Sequence, residues 1–506
     1  MLNIIIIERK LPNDKKNNRF GKKEVDIMVG RTEEKRQLQS LLSEKESQFI
    51  AVYGRRRVGK TFLIRESFDY KFTFQHTGLS TNSIKKNLRK KVQLEEFAKS
   101  LSETGCAPKN ELTSWYDAFD CLKEVIINSK DKKKVIFIDE LSWMDTKGGE
   151  LLSALEHFWN GWVTARKEKD VILIVCASAT YWMMDNIVNS KGGLHNRLTG
   201  KINLRPFTLA ECEEYLKTKK ILFNRHQIIQ CYMILGGVPY YWSLLKKGKS
   251  LPQNIDELFF KDGAPLQDEY NNLYHALFNK PEQYIKIIEA LCDINKGITR
   301  DEICKKTRIS SSGELTKKLK ELENCGFVRK YVPFGSERKN AMYQLVDNFT
   351  LFYNRFLKNN SHDENFWKSA SNSSEIYSWS GIAFERVCLE HIEQIKNALG
   401  ISGVQTDVNS WKCEANPDKG LQGSQIDLLI VRKDQIINLC EMKYSESDYV
   451  PDVAFDKAMR RKISDLKKTT KTKYAIHSTL VTTYEVGESS YTGNIQSIIT
   501  GEDLFK

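Results

Sequence analysis

The sequence predicts an α/β fold with a parallel sheet, on the evidence of three apolar strands and the helical stretches between them. Residues 49–53, 135–139 and 171–176 are apolar along almost their whole length, as in strands that helices cover on both faces. Helical patterns fill the intervals, and helical crossovers join parallel strands. The chain has 506 residues, enough for about three domains, so we expect this α/β domain, over residues 28–210, to be followed by others.

A glycine-rich loop directly follows the first of these strands. Residues 54–61 read Gly-Arg-Arg-Arg-Val-Gly-Lys-Thr, which fits the P-loop pattern G-x-x-x-x-G-K-[ST]. Backbone N–H groups of such a loop, with the N-terminus of the helix behind it, bind phosphates. Lys60 would reach the β- and γ-phosphates, and the Thr61 hydroxyl would ligate Mg²⁺. We therefore predict a site for ATP with Mg²⁺ that is formed by Gly54, Arg55, Arg56, Arg57, Val58, Gly59, Lys60 and Thr61.

The second strand ends in two carboxylates, Asp139 and Glu140. Ligands of parallel sheets bind at the carboxyl ends of the strands, so we expect Asp139 to hold Mg²⁺ and Glu140 to polarise the attacking water. Two adjacent acids are also typical of a helix cap, but the P-loop upstream favours the catalytic interpretation. The third strand leads to Ser178 and Thr180, either of which is a candidate γ-phosphate sensor or part of an ordinary turn.

Two further features belong to the predicted ATPase region. Arg197 is a candidate arginine finger, which would stabilise transition-state charge in cis or from a neighbouring subunit; a solvated or structural arginine is the alternative. Residues 211–280 are predicted to form a helical lid, with a helix-breaking Gly-Gly-Val-Pro corner within residues 235–242.

Composition narrows the partners and the compartment. Lys and Arg exceed Asp and Glu by 13, which suggests polyanionic partners or else simple surface solvation. Among polyanionic partners we expect nucleic acid, with DNA preferred to RNA. The 11 cysteines include no C-x-x-C pair, which indicates reduced thiols in a cytoplasmic protein. No apolar run approaches the roughly 20 residues of a membrane span, so we expect no membrane partner. The polar residues 1–27 predict a disordered extension, with Met28 as an alternative start to Met1.

Residues 281–356 predict a winged helix-turn-helix, with three helices followed by a two-stranded ribbon. Between Lys296 and Lys339 there are 12 basic and 6 acidic residues. The third helix would enter the major groove if the module binds DNA. A contact module for proteins is the alternative interpretation.

Residues 375–506 hold a second set of candidate catalytic residues. A predicted strand carries Asp427 near its start, and its hairpin partner carries Glu441 and Lys443, which share one face because they are two residues apart. The spacing Asp-x(13)-Glu-x-Lys is typical of metal-dependent phosphodiester hydrolysis. Asp427 and Glu441 would ligate Mg²⁺, Lys443 would stabilise developing charge, and Glu385 would add a ligand from a helix. A surface hairpin with ordinary charges is the alternative.

A basic helix follows this hairpin. Residues 457–473 contain 8 basic residues and one acid, Asp465. We expect this helix to lie beside the metal site and to neutralise phosphates; a solvated charged face is the alternative.

Together these motifs resemble the archaeal-type predicted ATPases, a branch of the AAA- and STAND-like P-loop proteins. The resemblance runs from about Met28 to the C-terminus. It rests on Gly-Arg at 30–31, the arginine-rich P-loop, Phe-Ile-Asp-Glu at 137–140, Arg-Pro-Phe at 205–207 and Gly-Gly-Val-Pro-Tyr-Tyr at 236–241. It implies ATP with Mg²⁺, self-association into a homo-oligomer, a winged helix and a C-terminal PD-(D/E)XK nuclease-like (restriction-endonuclease-like) domain that matches Asp427, Glu441 and Lys443. Cys-Ala-Ser-Ala at 176–179 replaces the more usual Gly-Ser of the family, which blurs the sensor assignment.

The leading functional hypothesis is an ATPase that controls a metal-dependent nuclease-like domain acting on nucleic acid, in defence or mobile-element control. The alternative is an ATP-dependent oligomerising switch or DNA-binding regulator whose C-terminal domain does not cleave. A third class is an ATPase that acts on protein partners through the winged helix. The sequence leaves the trigger and the oligomeric state open.

Overall fold

The structure, a computed structural model, describes residues 28–80, 84–146, 149–278, 280–292, 297–358, 363–370 and 373–506. The predicted extension, residues 1–27, lies outside the described residues. The described strands are β1 (Gln48–Tyr53), β2 (Phe74–Thr77), β3 (Lys134–Asp139), β4 (Val171–Ala177), β5 (Gly200–Asn203), β6 (Ile298–Thr299), β7 (Val328–Tyr331), β8 (Met342–Leu345), β9 (Thr406–Cys413), β10 (Ser424–Arg432), β11 (Ile436–Lys443), β12 (Ala475–Thr482) and β13 (Ser497–Ile499).

The described α-helices are α1 (Thr32–Ser43), α2 (Lys60–Ser67), α3 (Arg89–Glu103), α4 (Trp115–Asn128), α5 (Leu141–Met144), α6 (Glu150–Glu156), α7 (Thr180–Met183), α8 (Leu209–Thr218), α9 (Arg225–Leu235), α10 (Pro239–Ser243), α11 (Leu251–Ile255), α12 (Glu269–Leu277), α13 (Pro281–Cys292), α14 (Arg300–Thr307), α15 (Gly313–Asn324), α16 (Asn348–Phe352), α17 (Phe366–Ala370), α18 (Ser374–Glu390), α19 (Ile392–Ala398) and α20 (Val453–Thr470). Helices α6, α7, α11 and α16 continue into wider π-helical turns, His157–Val163, Met184–Val188, Asp256–Phe260 and Tyr353–Leu357.

The N-terminal sheet is parallel throughout, in the order β2-β3-β4-β1-β5. The predicted α/β fold with a parallel sheet is thus confirmed, but the sheet has five strands where the apolar runs predicted three. The two added strands, β2 and β5, are four residues long and only alternately buried, so they lack a continuous apolar run. Because all five strands point the same way, β1, β3 and β4 end at one edge of the sheet.

Helices cover both faces of this sheet. One core joins the sheet to α3, α4 and α6 through residues such as Phe97, Phe119 and Leu155. The other joins it to α1 and α2 through Leu38 and Leu63. The P-loop between β1 and α2 is therefore held between two packed layers.

The region after residue 208 is helical and leads into a small sheet. Helices α8–α12 contain the predicted corner, where α9 ends before Gly236 (φ 58°) and α10 begins at Pro239. Helices α13, α14 and α15 are followed by an antiparallel sheet in the order β6-β8-β7. The ribbon predicted as two-stranded therefore has three strands, because residues 298–299 also pair with β8. The assignment of this unit as a winged helix stays a prediction.

The C-terminal sheet is mixed, in the order β13-β12-β11-β10-β9. Strands β9, β10 and β11 are antiparallel, and α20 crosses over to the parallel strands β12 and β13. Helix α18 packs on one face and α20 on the other. The predicted hairpin, the Glu385 helix and the basic helix are all present as elements.

One hydrophobic core extends from the helical region through the small sheet to one face of the C-terminal sheet. It joins Trp242 of the helical region, Leu319 of α15, Phe384 of α18 and Cys440 of β11, and it reaches Phe505. The helical region, the small sheet and one face of the C-terminal sheet are therefore packed on one another, while a separate core lies between α20 and the other face of that sheet.

Candidate nucleotide site and a second acidic site

The loop between β1 and α2 has backbone angles that suit its glycines. Gly54 (φ 149°) and Gly59 (φ 91°) lie in the region that side chains disfavour, as does Arg57 (φ 70°). A Cβ atom on Gly54 would lie 2.2 Å from the carbonyl oxygen of Leu204. Gly54 therefore allows the loop to pass close to the chain that leaves β5.

Lys60 projects back into this loop. Its Nζ donates to the carbonyl oxygens of Gly54 and Arg55, both at 3.0 Å, and to Ser178 Oγ at 3.1 Å. The side chain is buried, at 5% exposure. A buried ammonium group at the head of a helix N-terminus is positioned to bind phosphate oxygens.

The next residue contacts the acidic strand. Thr61 Oγ1 donates to Asp139 Oδ2 at 2.6 Å. Asp139 ends β3 and is buried. A hydroxyl and a carboxylate side by side are oxygen groups of the kind that Mg²⁺ prefers, and the role of Thr61 and Asp139 as Mg²⁺ ligands stays a prediction.

Glu140 points toward the P-loop rather than capping a helix. It precedes α5 in a left-handed conformation (φ 50°) and makes no side-chain capping bond. Ser178 Oγ donates to Glu140 Oε1 at 2.6 Å, and Ser178 N donates to Oε2 at 3.2 Å. Ser178 therefore bridges Glu140 and Lys60, whereas the buried Thr180 hydroxyl has no hydrogen-bond partner among the described residues.

A cavity of about 680 Å³ opens beside these groups. Glu140, Ser178 and most of the predicted loop residues line it, namely Arg56, Arg57, Val58, Gly59, Lys60 and Thr61. Gly54 and Arg55 do not. Instead, the Arg55 side chain forms a buried ion pair with Asp347. The side chain of Arg57 pairs with Glu269 at 2.8 Å.

The far side of the cavity holds residues that sequence reasoning missed. Aromatic and basic side chains from three elements line it, namely Phe207, Tyr215, Lys219 and Tyr240. Arg31 reaches across to donate to Arg205 O at 2.7 Å and Val58 O at 3.0 Å, and burial lowers its pKa. The pair Gly30-Arg31 was noticed only as part of a family pattern, because its contacts lie far away in the chain.

The candidate arginine finger lies outside this cavity. Arg197 is exposed, in a turn before β5, and its N–H donates to Leu194 O at 3.2 Å. It is not among the residues that line the cavity. The prediction of a finger role in a neighbouring subunit is not tested by one chain.

The second acidic site lies where β10 and β11 pair. The antiparallel register places Asp427 opposite Glu441, and a bulge interrupts the pairing of β10 with β9 at that point. Glu441 Oε1 lies 3.0 Å from Lys443 Nζ, and Glu441 Oε2 lies 2.5 Å from Lys462 Nζ of α20. Burial alone would raise the pKa of Glu441, but Lys462 and Lys443 lower it below its usual value.

The third predicted acid behaves differently. Burial and the nearby Asp427 carboxylate raise the pKa of Glu385 to about 7. Its neighbour Arg386 lies 3.6 Å away and donates from Nε to Leu345 O of β8. Within the described ranges, no three Asp, Glu, His or Cys side chains form a group that could hold a metal ion. The predicted residues are thus near one another, and their role as a metal-binding set stays a prediction.

Two general predictions are also addressed by the structure. All 11 cysteines are free thiols, and five are only partly buried. Across the described ranges, every helix is too short or too polar to cross a membrane.

Comparison with known proteins places the nucleotide site in a family context. Residues 28–245 match a family described as an ATPase domain predominantly from Archaea. This match contains the P-loop, Asp139, Glu140 and Arg197, so the N-terminal part of the chain is similar to this ATPase-domain family. The chain is also 24% identical over 430 residues to an uncharacterised protein of Methanocaldococcus jannaschii, covering 83% of this chain and 88% of that protein.

Solved structures give more distant similarities. A Walker-type ATPase of Pyrococcus abyssi is 15% identical, with a TM-score of 0.44, covering 65% of this chain and 96% of that one. The ORC2 protein of Aeropyrum pernix is 13% identical, with a TM-score of 0.39, covering 71% and 98%. The Holliday junction branch migration motor RuvB of Thermotoga maritima is 13% identical, with a TM-score of 0.33, covering 62% and 92%.

Proposed function

We propose that the protein binds ATP with Mg²⁺ in the cavity beside the P-loop and hydrolyses it there. The observation that carries this proposal is the continuous set of contacts from Lys60 through Ser178 to Glu140, next to the Thr61–Asp139 pair. Those two oxygen groups fit Mg²⁺, which when bound would neutralise charge on the transferring phosphoryl group. Lys60 binds phosphate, and Glu140 accepts the proton of the attacking water.

The binding step is tested with Lys60→Ala. Loss of the ammonium group should abolish detectable ATP binding by calorimetry, because no other lysine contacts the loop carbonyls in the described structure. Lys99→Ala is the matched control, since Lys99 lies exposed on α3 and pairs only with its helix neighbour Glu96. Unchanged ATP affinity in the Lys60 variant would contradict the proposal.

We further propose that ATP controls a C-terminal domain that cleaves nucleic acid, with DNA as the substrate. The protein would act in the cytoplasm, in defence or mobile-element control. Asp427 and Glu441 would hold Mg²⁺ from opposite strands, Glu385 would add a third carboxylate, and Lys443 would stabilise charge. The exposed basic side chains of α20, Lys457, Arg461, Lys467 and Lys468, support a polyanionic substrate.

A non-cleaving C-terminal domain is the second candidate, and one observation favours it. Glu441 is already paired with two ammonium groups, which oppose binding of a cation at the same carboxylate. The protein would then act as an ATP-dependent switch that binds nucleic acid without cutting it.

One experiment separates the two candidates. Purified protein is incubated with plasmid, single-stranded DNA and RNA, with and without ATP and Mg²⁺, beside Asp427→Asn and Glu441→Gln variants. Cleavage that both variants lose supports the nuclease. Binding that weakens steeply with salt, without cleavage, supports the switch. Cleavage that survives both substitutions contradicts the nuclease assignment, and absence of nucleic-acid binding contradicts both.

We also propose that the protein forms a homo-oligomer in which Arg197 acts on the ATP of a neighbouring subunit. Its exposure and its distance from its own cavity support this. Sedimentation with and without ATP tests association. Mixing Arg197→Ala with Lys60→Ala chains tests the role in trans. Only a finger that acts in trans would let the intact Lys60 of one chain and the intact Arg197 of the other form one active site per mixed pair.

A further inference from the structure

One arginine of the P-loop is inserted into the C-terminal half of the chain. The guanidinium group of Arg55 pairs with the carboxylate of Asp347, which lies 292 residues further along the chain. Both side chains are buried, at 7% and 2% exposure. Asp347 stands between β8 and α16, so the pair joins the nucleotide-binding loop to the start of the segment that leads to the C-terminal sheet.

The surroundings of this pair belong to the C-terminal half. The second carboxylate oxygen of Asp347 accepts from Thr350 N at 3.0 Å and so caps α16. The guanidinium carbon of Arg55 lies 5.1 Å from the ring centre of Phe327, just before β7. Arg55 therefore contacts the two residues that flank the β7–β8 hairpin, Phe327 before β7 and Asp347 after β8. Asp347 in turn caps the helix that follows.

The charge of this pair is costly to bury. Burial alone would lower the pKa of Arg55, but Asp347 raises it above its usual value, so the guanidinium stays charged. Its Nε and Nη2 atoms are buried without a hydrogen-bond partner among the described residues. A buried ion pair with unsatisfied donors is weak evidence for stability, which points to another reason for its presence.

The backbone of Arg55 takes part in the nucleotide site. Its carbonyl oxygen accepts from Lys60 Nζ at 3.0 Å. When Lys60 turns to a phosphate, the peptide that carries Arg55 loses this donor. A single hydrogen bond therefore connects the side chain proposed to bind phosphate with the peptide group of Arg55.

A second contact joins the same two regions. Ser178, which binds both Lys60 and Glu140, is followed at once by α7, and α7 packs against α15. Lys320 of α15 also lies 3.3 Å from Asp185 in the π-helical turn after α7. The module that holds Phe327 is thus contacted by the segments that follow two strands of the N-terminal sheet: Arg55 after β1 and α7 after β4.

We propose that Arg55 is a positioning residue that couples nucleotide binding at the P-loop to the conformation of the β8–α16 junction through Asp347. This inference rests on the proposed ATP site. According to this proposal, the Arg55 side chain does not contact phosphate. Its ion pair with Asp347 transmits the difference between the nucleotide-free and nucleotide-bound P-loop to the modules that follow β8.

The test measures hydrogen exchange of residues 345–352 with and without ADPNP and Mg²⁺ in the full chain. The wild-type protein should show a change in exchange rate of roughly tenfold or more on nucleotide binding, which is the usual size of such coupling. At a concentration of ADPNP that saturates each variant, Arg55→Gln and Asp347→Asn should each lose most of that change. Asparagine keeps an oxygen that caps α16, so this variant removes the charge and retains the cap.

Three comparisons make the outcome decisive. Arg55→Lys keeps the charge and should retain part of the response, and Arg36→Gln, which breaks an exposed pair with Glu33 on α1, should retain all of it. A merely structural role would alter exchange equally with and without nucleotide. An unchanged nucleotide response in both Arg55→Gln and Asp347→Asn overturns the coupling. ADPNP binding that persists in Lys60→Ala instead overturns the proposed ATP site.

Discussion

Two strand ends of this molecule carry acidic residues, and their neighbours differ. At the end of β3, Asp139 accepts a bond from Thr61 and Glu140 accepts bonds from Ser178. On β11, Glu441 is held by two lysines. Hydroxyl groups leave a carboxylate its negative charge, whereas ammonium groups neutralise it. If both sites bind Mg²⁺ as proposed, a cation at Glu441 would have to compete with two lysines, and one at Asp139 would compete with none of the lysines in the described structure.

The largest effect is expected at the first strand end. Glu140→Gln should lower kcat for ATP hydrolysis by about 10²- to 10⁴-fold, the usual contribution of a general base. ATP affinity should hardly change, because Glu140 contacts Ser178 rather than Lys60. Steady-state kinetics with Glu96→Gln as the surface control checks this. Equal loss in both variants, or none in either, would remove Glu140 from catalysis.

A pH experiment tests the contact between the start of α8 and the end of α18. His391 Nε2 accepts from Leu209 N at 2.9 Å, and burial lowers the pKa of His391 to about 4. The unfolded chain therefore takes up this proton at a higher pH than the folded chain, so the free energy of unfolding should fall as pH drops from about 6.5 to about 4. His391→Gln should lose that part of the slope in denaturant titrations. An identical slope in the variant would assign the pH dependence to other groups.

The second strand end offers an opposite test. Lys462→Met leaves Glu441 with Lys443 alone, which should reduce the free energy of unfolding by about 1–3 kcal/mol, because a buried charge loses a partner. It should also raise the affinity of the chain for Mg²⁺ at this site, so Mg²⁺ should stabilise the variant more than the wild type. Thermal melts with and without Mg²⁺ measure both effects. Lys467→Met, an exposed change on the same helix, serves as the control, and equal Mg²⁺ responses would contradict the comparison.

The smallest effect concerns the bridge at the first strand end. Ser178→Ala removes one hydroxyl between Lys60 and Glu140 and should lower kcat by about tenfold, which corresponds to one hydrogen bond. Thr180→Val, a matched change at a hydroxyl with no hydrogen-bond partner in the described structure, should leave kcat unaltered. A larger loss of kcat for Thr180→Val than for Ser178→Ala would favour Thr180 over Ser178 as the γ-phosphate sensor.

The first strand end was predictable from the sequence, and the second only in part. Lys60, Thr61 and Asp139 belong to local patterns whose geometry follows from strand, loop and helix. Local spacing also indicated that Glu441 and Lys443 share a face. The basic helix that contains Lys462 was expected to neutralise phosphates or to be a solvated charged face, because nothing in the helix sequence indicates that Lys462 points to Glu441.

Long-range pairs were beyond sequence reasoning. Arg55 was predicted to bind nucleotide with its neighbours, since loop position was the only available signal. Its ion pair depends on how β8 and α16 pack against the P-loop, and a single sequence does not encode that in any spacing. The short strands β2 and β5 were missed for a related reason, because edge strands carry little apolar pattern of their own.

The hydrophobic core that follows the N-terminal sheet in the chain affects how the protein unfolds and where it can be divided into fragments. Trp242, Leu319, Phe384 and Phe505 belong to one apolar interior, so cutting the chain near residue 280 or 375 would expose the cut faces to water. On heating, the helical region, the small sheet and the C-terminal sheet should melt together as one cooperative unit. A C-terminal fragment produced alone should therefore aggregate.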